Sequence, residues 1–311
     1  MCAATSAVAT VVDVSALDAP GDAVLIIDKP PGLSSHGVVA RVRRVAGTRK
    51  VGHAGTLDPM ATGVLVIGVG RATRLLGHLM TTVKAYDATI RLGEVTSTDD
   101  AEGESWAITD ATGHDRASVE HALHAFVGDI EQVPSTVSAV KVGGRRAYTR
   151  VRAGEQVELA ARAVRIDSIE VGEVRHRPPY VDVDVSVVCS AGTYIRAIAR
   201  DLGAGLAVGG HLTALRRTRV GEFTLADACT LETLEERYDA VSISEAARRS
   251  FPVYGLNDAQ AAMVRNGRTI PGLSLDAGGV VAFFDPAGAF LALYEQSGAA
   301  VRPVAVFVGE G

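Results

Sequence analysis

Two alternating segments, RAVRIDSIEVGEV (162–174) and YVDVDVSVVCS (180–190), follow one another as a pair of antiparallel strands, and TYIRAIARDLGAGL (193–206) has the spacing of a helix returning across them. Earlier, AVLIIDKP (23–30) reads as a buried strand ended by Lys-Pro-Pro-Gly. SSHGVVARVRRVAG (34–47) reads as a capped helix with Val38, Val39, Val42 and Val45 on one face and Arg41, Arg43 and Arg44 on the other. GVLVIGVG (63–70), RATRLLGHLM (71–80) and KAYDATIRLG (84–93) add an apolar strand, a short helix and an alternating strand. The elements lack the repeated β-α-β-α register of a parallel fold, so the expected class is α+β with a largely antiparallel sheet.

The length, 311 residues of which 47% are hydrophobic, accommodates one large domain and a small one. Residues 1–22 contain an acid and no preceding basic residue, which suits a loosely ordered extension better than a secretion signal. Residues 23–250 form the expected main domain. Within it, 132–155 places Lys141, Arg145, Arg146, Arg150 and Arg152 around a Gly-Gly turn, the pattern of a hairpin and short helix projecting from a sheet. From 251 to 311 short strands flank Pro-Ala-Gly, which predicts a small β-rich domain. Cys2, Cys189 and Cys229 have neither disulfide nor zinc-finger spacing, so a reducing cytoplasmic setting fits. Every apolar run is interrupted by charge before it reaches membrane-spanning length.

Charge is distributed in blocks. The net charge of -5 combines +8 over 29–84 and +6 over 136–219 with acidic blocks between and around them. Local field rather than net charge governs docking, so two basic blocks on one face would suit a phosphate backbone. From Lys29 to Lys84 inclusive there are nine Lys or Arg residues and one acid, Asp58, where roughly six acids would be expected from the chain average. A carboxylate among cations is expected to have a lowered pKa and to be ionised, as a nucleophile requires. Asp-Pro between glycines is also ordinary turn chemistry.

Asp58 lies in GHAGTLDPMATG (52–63), where Gly52, Gly55 and Gly63 would let backbone approach a ligand and Pro59 would stiffen the turn. Tyr86 and Tyr194 stand beside cations and could stack on a base, although strand tyrosines are also common packing residues. Arg196, at a helix start, could pair with an acid from elsewhere. His53 and Asp58 without a third ligand do not make a metal site, so neither metal nor organic cofactor is expected.

Six segments in order, DKPPGLSS (28–35), GHAGTLDPMATGVL (52–65), KAYDATIRLG (84–93), VPSTVSAVKVGGRRAY (133–148), CSAGTYIRAIARDLG (189–203) and HLTALRRTRVGEF (211–223), resemble the TruB family. These are stand-alone bacterial synthases that convert uridine 55 in the T-loop of tRNA to pseudouridine. The resemblance implies a pseudouridine synthase catalytic domain over 23–250 with a mainly antiparallel mixed sheet, a thumb insertion at about 134–158 and a PUA-like domain after it. It implies that Asp58 initiates cleavage between uracil and ribose, Tyr86 stacks on the flipped base, and Arg196 pairs with Asp58. Tyr194 would line the pocket, Leu215 would form an apolar wall, His53 would fill the space left by the extruded nucleotide, and Lys29 with Pro30 would support the active-site loop. Lys29, Lys141, Arg145, Arg146 and Arg150 are counted among the RNA-binding residues. Ala54 departs from the Thr common at that position.

The implied partner is the T-arm of tRNA, with no membrane, guide RNA or protein partner. Two other readings compete: an RNA-binding or tRNA-folding protein without catalysis, and a related guide-dependent synthase, against which the projecting 134–158 segment argues. A phosphate-loop enzyme is excluded, because no Gly-Lys-Ser/Thr follows the glycines.

Overall fold

The computed structural model describes residues 21–135, 141–142, 145–146, 160–275 and 278–308. The expected extension falls outside these residues up to position 20. Asp22 is tied down, since its carboxylate accepts from the main-chain N and the Nε of Arg71.

The chain begins with β1 (Ala23–Lys29) and helix α1 (Ser35–Val45), followed by β2 (Val51–His53) and β3 (Thr62–Val69). Ser34 caps α1 by accepting from Gly37 N, which satisfies one of the free N–H groups of the first turn. A 3-10 turn and α2 (Leu76–Leu79) occupy the predicted 71–80 helix and lead into β4 (Lys84–Leu92). Next come a hairpin of β5 (Glu94–Thr96) and β6 (Ser105–Ile108), helix α3 (Arg116–His124) and β7 (Gly128–Gln132). In the predicted thumb, β8 (Lys141–Val142) and β9 (Arg145–Arg146) pair antiparallel. Arg150 and the predicted thumb helix lie outside the described residues.

Long strands β10 (Arg162–Arg177) and β11 (Tyr180–Cys189) form the expected antiparallel pair, and α4 (Ile195–Gly205) follows. The main sheet is completed by β12 (Gly210–Val220) and β13 (Phe223–Thr224), then, after α5 (Leu231–Glu236), by β14 (Val241–Ser242). Its order is β14-β1-β3-β12-β4-β11-β10-β7, with β2 on β3 and β13 on β12. The β3–β12 pair is parallel and the other pairs are antiparallel. This is the α+β, mainly antiparallel sheet expected from the pattern.

Burial explains why the strands read differently in sequence. Along β4, Lys84, Tyr86, Ala88, Ile90 and Leu92 are buried and the residues between them are not, so the segment alternates. β1 is apolar from Ala23 to Ile27 because both of its faces are covered. Leu25 and Ile27 join the core that contains Val38 and Val42 of α1 and Ile198 and Leu202 of α4. Val24 and Ile26 join a second core with Leu75 and Leu79.

After α6 (Ile243–Ser250), the C-terminal segment builds a five-stranded sheet from β15 (Val253–Gly255), β16 (Ile270–Pro271), β17 (Val280–Phe284), β18 (Phe290–Ser297) and β19 (Ala300–Val306), ordered β15-β17-β18-β19-β16. Phe284, Phe290, Leu293 and Phe307 from this region pack into the second core beside Leu75 and Val220. At about 1.5–3 kcal/mol for each fully buried side chain of this size, that packing fixes the small sheet against the large one.

Candidate active site

Strand β3 has two neighbours along one edge. β2 pairs with its C-terminal half, from His53↔Ile67 to Val51↔Val69, and β12 pairs with its first two residues, Thr62 and Gly63. Residues 54–61 leave this edge as a loop and carry Asp58 to the mouth of a cavity of about 440 Å³, a size within the range of about 300–1,000 Å³ common to small-ligand sites. Asp58, Tyr86, Tyr194, Arg196 and Leu215 line it together, along with Gly55, Lys84, Arg162 and Arg217.

Several bonds fix the loop. The Ser35 hydroxyl donates to Leu57 O at 2.9 Å and accepts from Leu57 N at 2.8 Å. Lys29 is fully buried, and its Nζ donates to the carbonyls of Pro30 (2.9 Å), Leu33 (2.6 Å) and Pro59 (3.2 Å). Lys29 therefore supports the loop and offers no surface to a substrate, which corrects its grouping with RNA-binding residues. Arg217, 1% exposed, donates from Nε to Val64 O at 2.7 Å and from Nη2 to Gly55 O at 3.1 Å. The glycines have a different use from the one expected. Gly63 has φ +97°, and a Cβ there would lie 2.2 Å from Arg217 O; Gly55 has φ +101° and sits against the Arg217 and Lys84 side chains. Gly63 accommodates protein atoms, while Gly55 is required by its positive φ and lines the cavity.

Helix α4 presents Arg196 in its first turn. A cation there opposes the helix dipole and must be offset by acids. Two are present: Arg196 Nη2 is 2.9 Å from Asp58 Oδ2, and Nη1 is 3.1 Å from Asp100 Oδ2 and 2.8 Å from Thr98 O. Asp100 comes from the β5–β6 turn and is 3% exposed. Tyr194 is the N-cap residue of α4, and Gln132 brackets its main chain, accepting from Tyr194 N at 2.7 Å and donating to Tyr194 O at 3.1 Å. The base of the thumb is thereby joined to the pocket wall.

The Asp58 carboxyl departs from expectation in one respect. Burial, the largest influence, raises its pKa above the usual carboxylate value; Arg196 pulls it down, Asp100 pushes it up and Lys29 pulls it down. The expected lowering fails because burial outweighs the cations near Asp58, and several of the nine counted in sequence are committed elsewhere. Arg41 pairs with Glu235 of α5 at 2.9 Å, Arg71 with Asp22, and Arg74 Nη1 donates to Val306 O. Arg44, Arg49 and Lys50 are exposed and form no ion pair among the described residues. With 35% of its side chain open to the cavity and a guanidinium at 2.9 Å, Asp58 still has the partner and the access that a carboxylate nucleophile needs.

The Tyr86 phenol is buried, and burial raises its pKa while the positive charge of Arg217 opposes the rise. Leu215, 8% exposed, pairs with Ala88 and forms an apolar wall. His53 is half-buried on β2, edge-on to His36 at 5.4 Å, and does not line the cavity of Asp58. Lys141, Arg145 and Arg146 lie in the β8–β9 ladder. Asp100, Gln132, Lys84 and Arg217 were not singled out from sequence. Among the described residues no three His, Cys, Asp or Glu side chains converge as a metal site would require, and no helix is long and apolar enough to cross a membrane.

Residues 43–195 match the TruB family pseudouridylate synthase N terminal domain, 196–250 the tRNA pseudouridylate synthase B C-terminal domain, and 251–308 the tRNA pseudouridine synthase II C terminal region. The chain is 54% identical over 291 residues to tRNA pseudouridine synthase B of Streptomyces griseus, covering 92% of this chain and 97% of the relative. It is 55% identical over 292 residues to the protein of that name from Thermobifida fusca, covering 93% and 99%. Among solved structures it is similar to a chain in the crystal structure of a Cbf5-Nop10-Gar1 complex, with TM-score 0.71 and 28% identity over 92% of this chain and 85% of that one. A chain in an H/ACA RNP bound to a substrate RNA containing 2'-deoxyuridine gives TM-score 0.70 and 26% identity, covering 92% and 85%.

Proposed function

The chain belongs to the TruB family and is a tRNA pseudouridine synthase, an isomerase; from that premise we propose that it acts on uridine 55 of the T-loop, unaided by guide RNA, with Asp58 starting the reaction. The observation that carries this reading is the Asp58–Arg196 pair at the wall of a nucleotide-sized cavity beside Tyr86. A base inside a folded loop must be extruded to reach that cavity, at a cost of about a few kcal/mol, which stacking on Tyr86 and contact with Leu215 offset. Asp58 then acts at the ribose, the C1′–N1 bond breaks, and uracil turns and rejoins through C5. Arg196 holds the carboxylate in position, while Tyr86 assists removal of the C5 proton.

RNA binding is supported by the exposed cations Arg44, Arg49 and Lys50, which follow one another into β2 at the edge from which the Asp58 loop emerges. The thumb cations are proposed to add phosphate contacts, and residues 251–311 a PUA-like contact with the rest of the tRNA, on a division of the chain into 23–250 and 251–311. The likeness to the Cbf5 chain favours a ribonucleoprotein reading, yet identity is about twice as high to the tRNA pseudouridine synthase B proteins. Asp58→Asn keeps the turn and removes the nucleophile. It is expected to abolish pseudouridine formation while tRNA affinity stays within about tenfold; wild-type turnover in that variant would remove Asp58 from the chemistry.

A further inference from the structure

Two buried cations at the cavity have no acidic partner among the described residues. Lys84 is 6% exposed, and its Nζ donates to Met80 O at 2.9 Å and Thr82 O at 2.8 Å. Arg217 is the largest of the fully buried side chains and is bonded to the main-chain carbonyls of Val64 and Gly55. Neither forms an ion pair with a described residue, whereas Arg196, which lines the same cavity, has two carboxylates. The two cations converge: a Cβ on Gly55 would meet Arg217 Nη1 at 3.5 Å and Lys84 Cε at 3.7 Å. Both lie next to Tyr86, Arg217 directly across from it in the β12–β4 ladder and Lys84 two residues before it.

Keeping an ammonium and a guanidinium out of water without a counterion costs several kcal/mol each, only partly offset by carbonyl bonds. Such a charge is stabilised when an anion arrives. The reaction makes one: as C1′–N1 breaks, the bonding pair goes to N1, a bond forms from Asp58 to C1′, and no proton moves. The negative charge therefore leaves Asp58 and appears on the uracil ring, on the Tyr86 side of the cavity.

We propose that Lys84 and Arg217 form a cationic floor whose field stabilises the uracil anion as the glycosidic bond breaks, with Asp58 and Arg196 serving the ribose. This rests on the reading of the site as a uridine isomerase. It differs from stacking or phosphate binding because both cations act through space on the base, held in place by their bonds to main-chain carbonyls. Fixed charges placed where charge develops cost no reorganisation during the reaction.

The test is the single-turnover rate of pseudouridine formation in a T-arm stem-loop at saturating protein, compared for wild type, Lys84→Met and Lys84→Arg, with RNA affinity and Tm for each. Lys84→Met should slow the chemical step by about 100- to 1,000-fold, the range for loss of one preorganised group. Its RNA affinity should stay within about twofold and its Tm should be unchanged or higher, since a buried charge is removed. The rate itself supplies a second measurement. Lys84 faces Arg217 of β12, Tyr86 of its own strand, Cys189 of β11 and the Asp58 loop, and burial lowers its pKa to about 8. The ratio of the rate at pH 9 to that at pH 7 should therefore be higher in Lys84→Arg, which stays charged, than in wild type. The proposal is overturned by a wild-type rate in Lys84→Met, by rate, affinity and Tm falling together, or by an unchanged pH ratio in Lys84→Arg. Absence of pseudouridine with the wild-type protein would instead refute the underlying reading of the site.

Discussion

Asp58 and Asp100 share one cation, with Arg196 Nη2 at 2.9 Å from the first and Nη1 at 3.1 Å from the second. The arrangement holds the guanidinium at two points while leaving Asp58 the more open of the two carboxylates, at 35% side-chain exposure against 4%. Asp100 also sits close enough to Asp58 to raise its pKa, a smaller effect than that of burial.

The acid side of the pH–rate profile should report this relationship. In its proposed role Asp58 acts as a carboxylate, so the rate should fall as pH drops through a pKa lying above the usual carboxylate value. Asp100→Asn removes one of the influences that raise that pKa, and the acid limb should move to lower pH. Single-turnover rates between pH 4 and about 7 would measure it; a limb that stays in place or moves upward would show that Asp100 does not act on Asp58.

Tyr86 has two proposed uses, a ring to stack on the base and a hydroxyl to help move a proton, and it lies across from Arg217 in the β12–β4 ladder. Tyr86→Leu should lose most activity, whereas Tyr86→Phe should bind RNA normally and turn over slowly. Equal kcat in wild type and both variants would make Tyr86 a packing residue only.

Lys29 and Lys84 link stability to alkaline pH in a direction opposite to activity. Burial lowers both pKa values from 10.5 to about 8. Between about pH 8 and 9 the folded protein loses these protons while the unfolded chain keeps them, so stability should rise with pH. Over the same interval the single-turnover rate should fall. Above pH 9 the Cys189 thiol, raised from 9.0 to about 11 by burial, works the other way. Urea unfolding at pH 7.5, 8.5 and 9 should give rising midpoints in wild type and a smaller rise in Lys84→Met; identical slopes would mean that Lys84 titrates alike in both states.

Salt dependence tests the exposed cations. Changing Arg44, Arg49 and Lys50 together to Gln should reduce the slope of log affinity against log salt by about 0.7–0.9 for each phosphate that is no longer neutralised. The single-turnover rate at saturation should be unchanged, because none of the three lines the cavity. An unaltered slope would place the RNA on another face.

The sheet was legible because its strands carry their environment in their spacing: β4 alternates with one buried face, and β1 is apolar from Ala23 to Ile27 with two. Asp58 stood out as the one acid in a basic window, but that logic misjudged its surroundings. Arg41 and Arg71 are neutralised by Glu235 and Asp22, which lie far from them in sequence or in another charge block. Asp100 was hidden in STDDAEGE, a stretch that looks like a solubilising surface until the β5–β6 turn delivers one of its acids to Arg196. Lys84 and Arg217 were hidden by the opposite bias, since a cation in a strand suggests an exposed face and gives no sign of burial beneath a cavity.

Mapping pseudouridine at single-nucleotide resolution, after incubating the protein with unmodified tRNA in the absence of guide RNA, tests the central claim most directly. One new pseudouridine is expected, at position 55 of the T-loop, formed by wild type and absent with Asp58→Asn. Modification at a different position, a requirement for added guide RNA, or tRNA binding with no pseudouridine formed would contradict it.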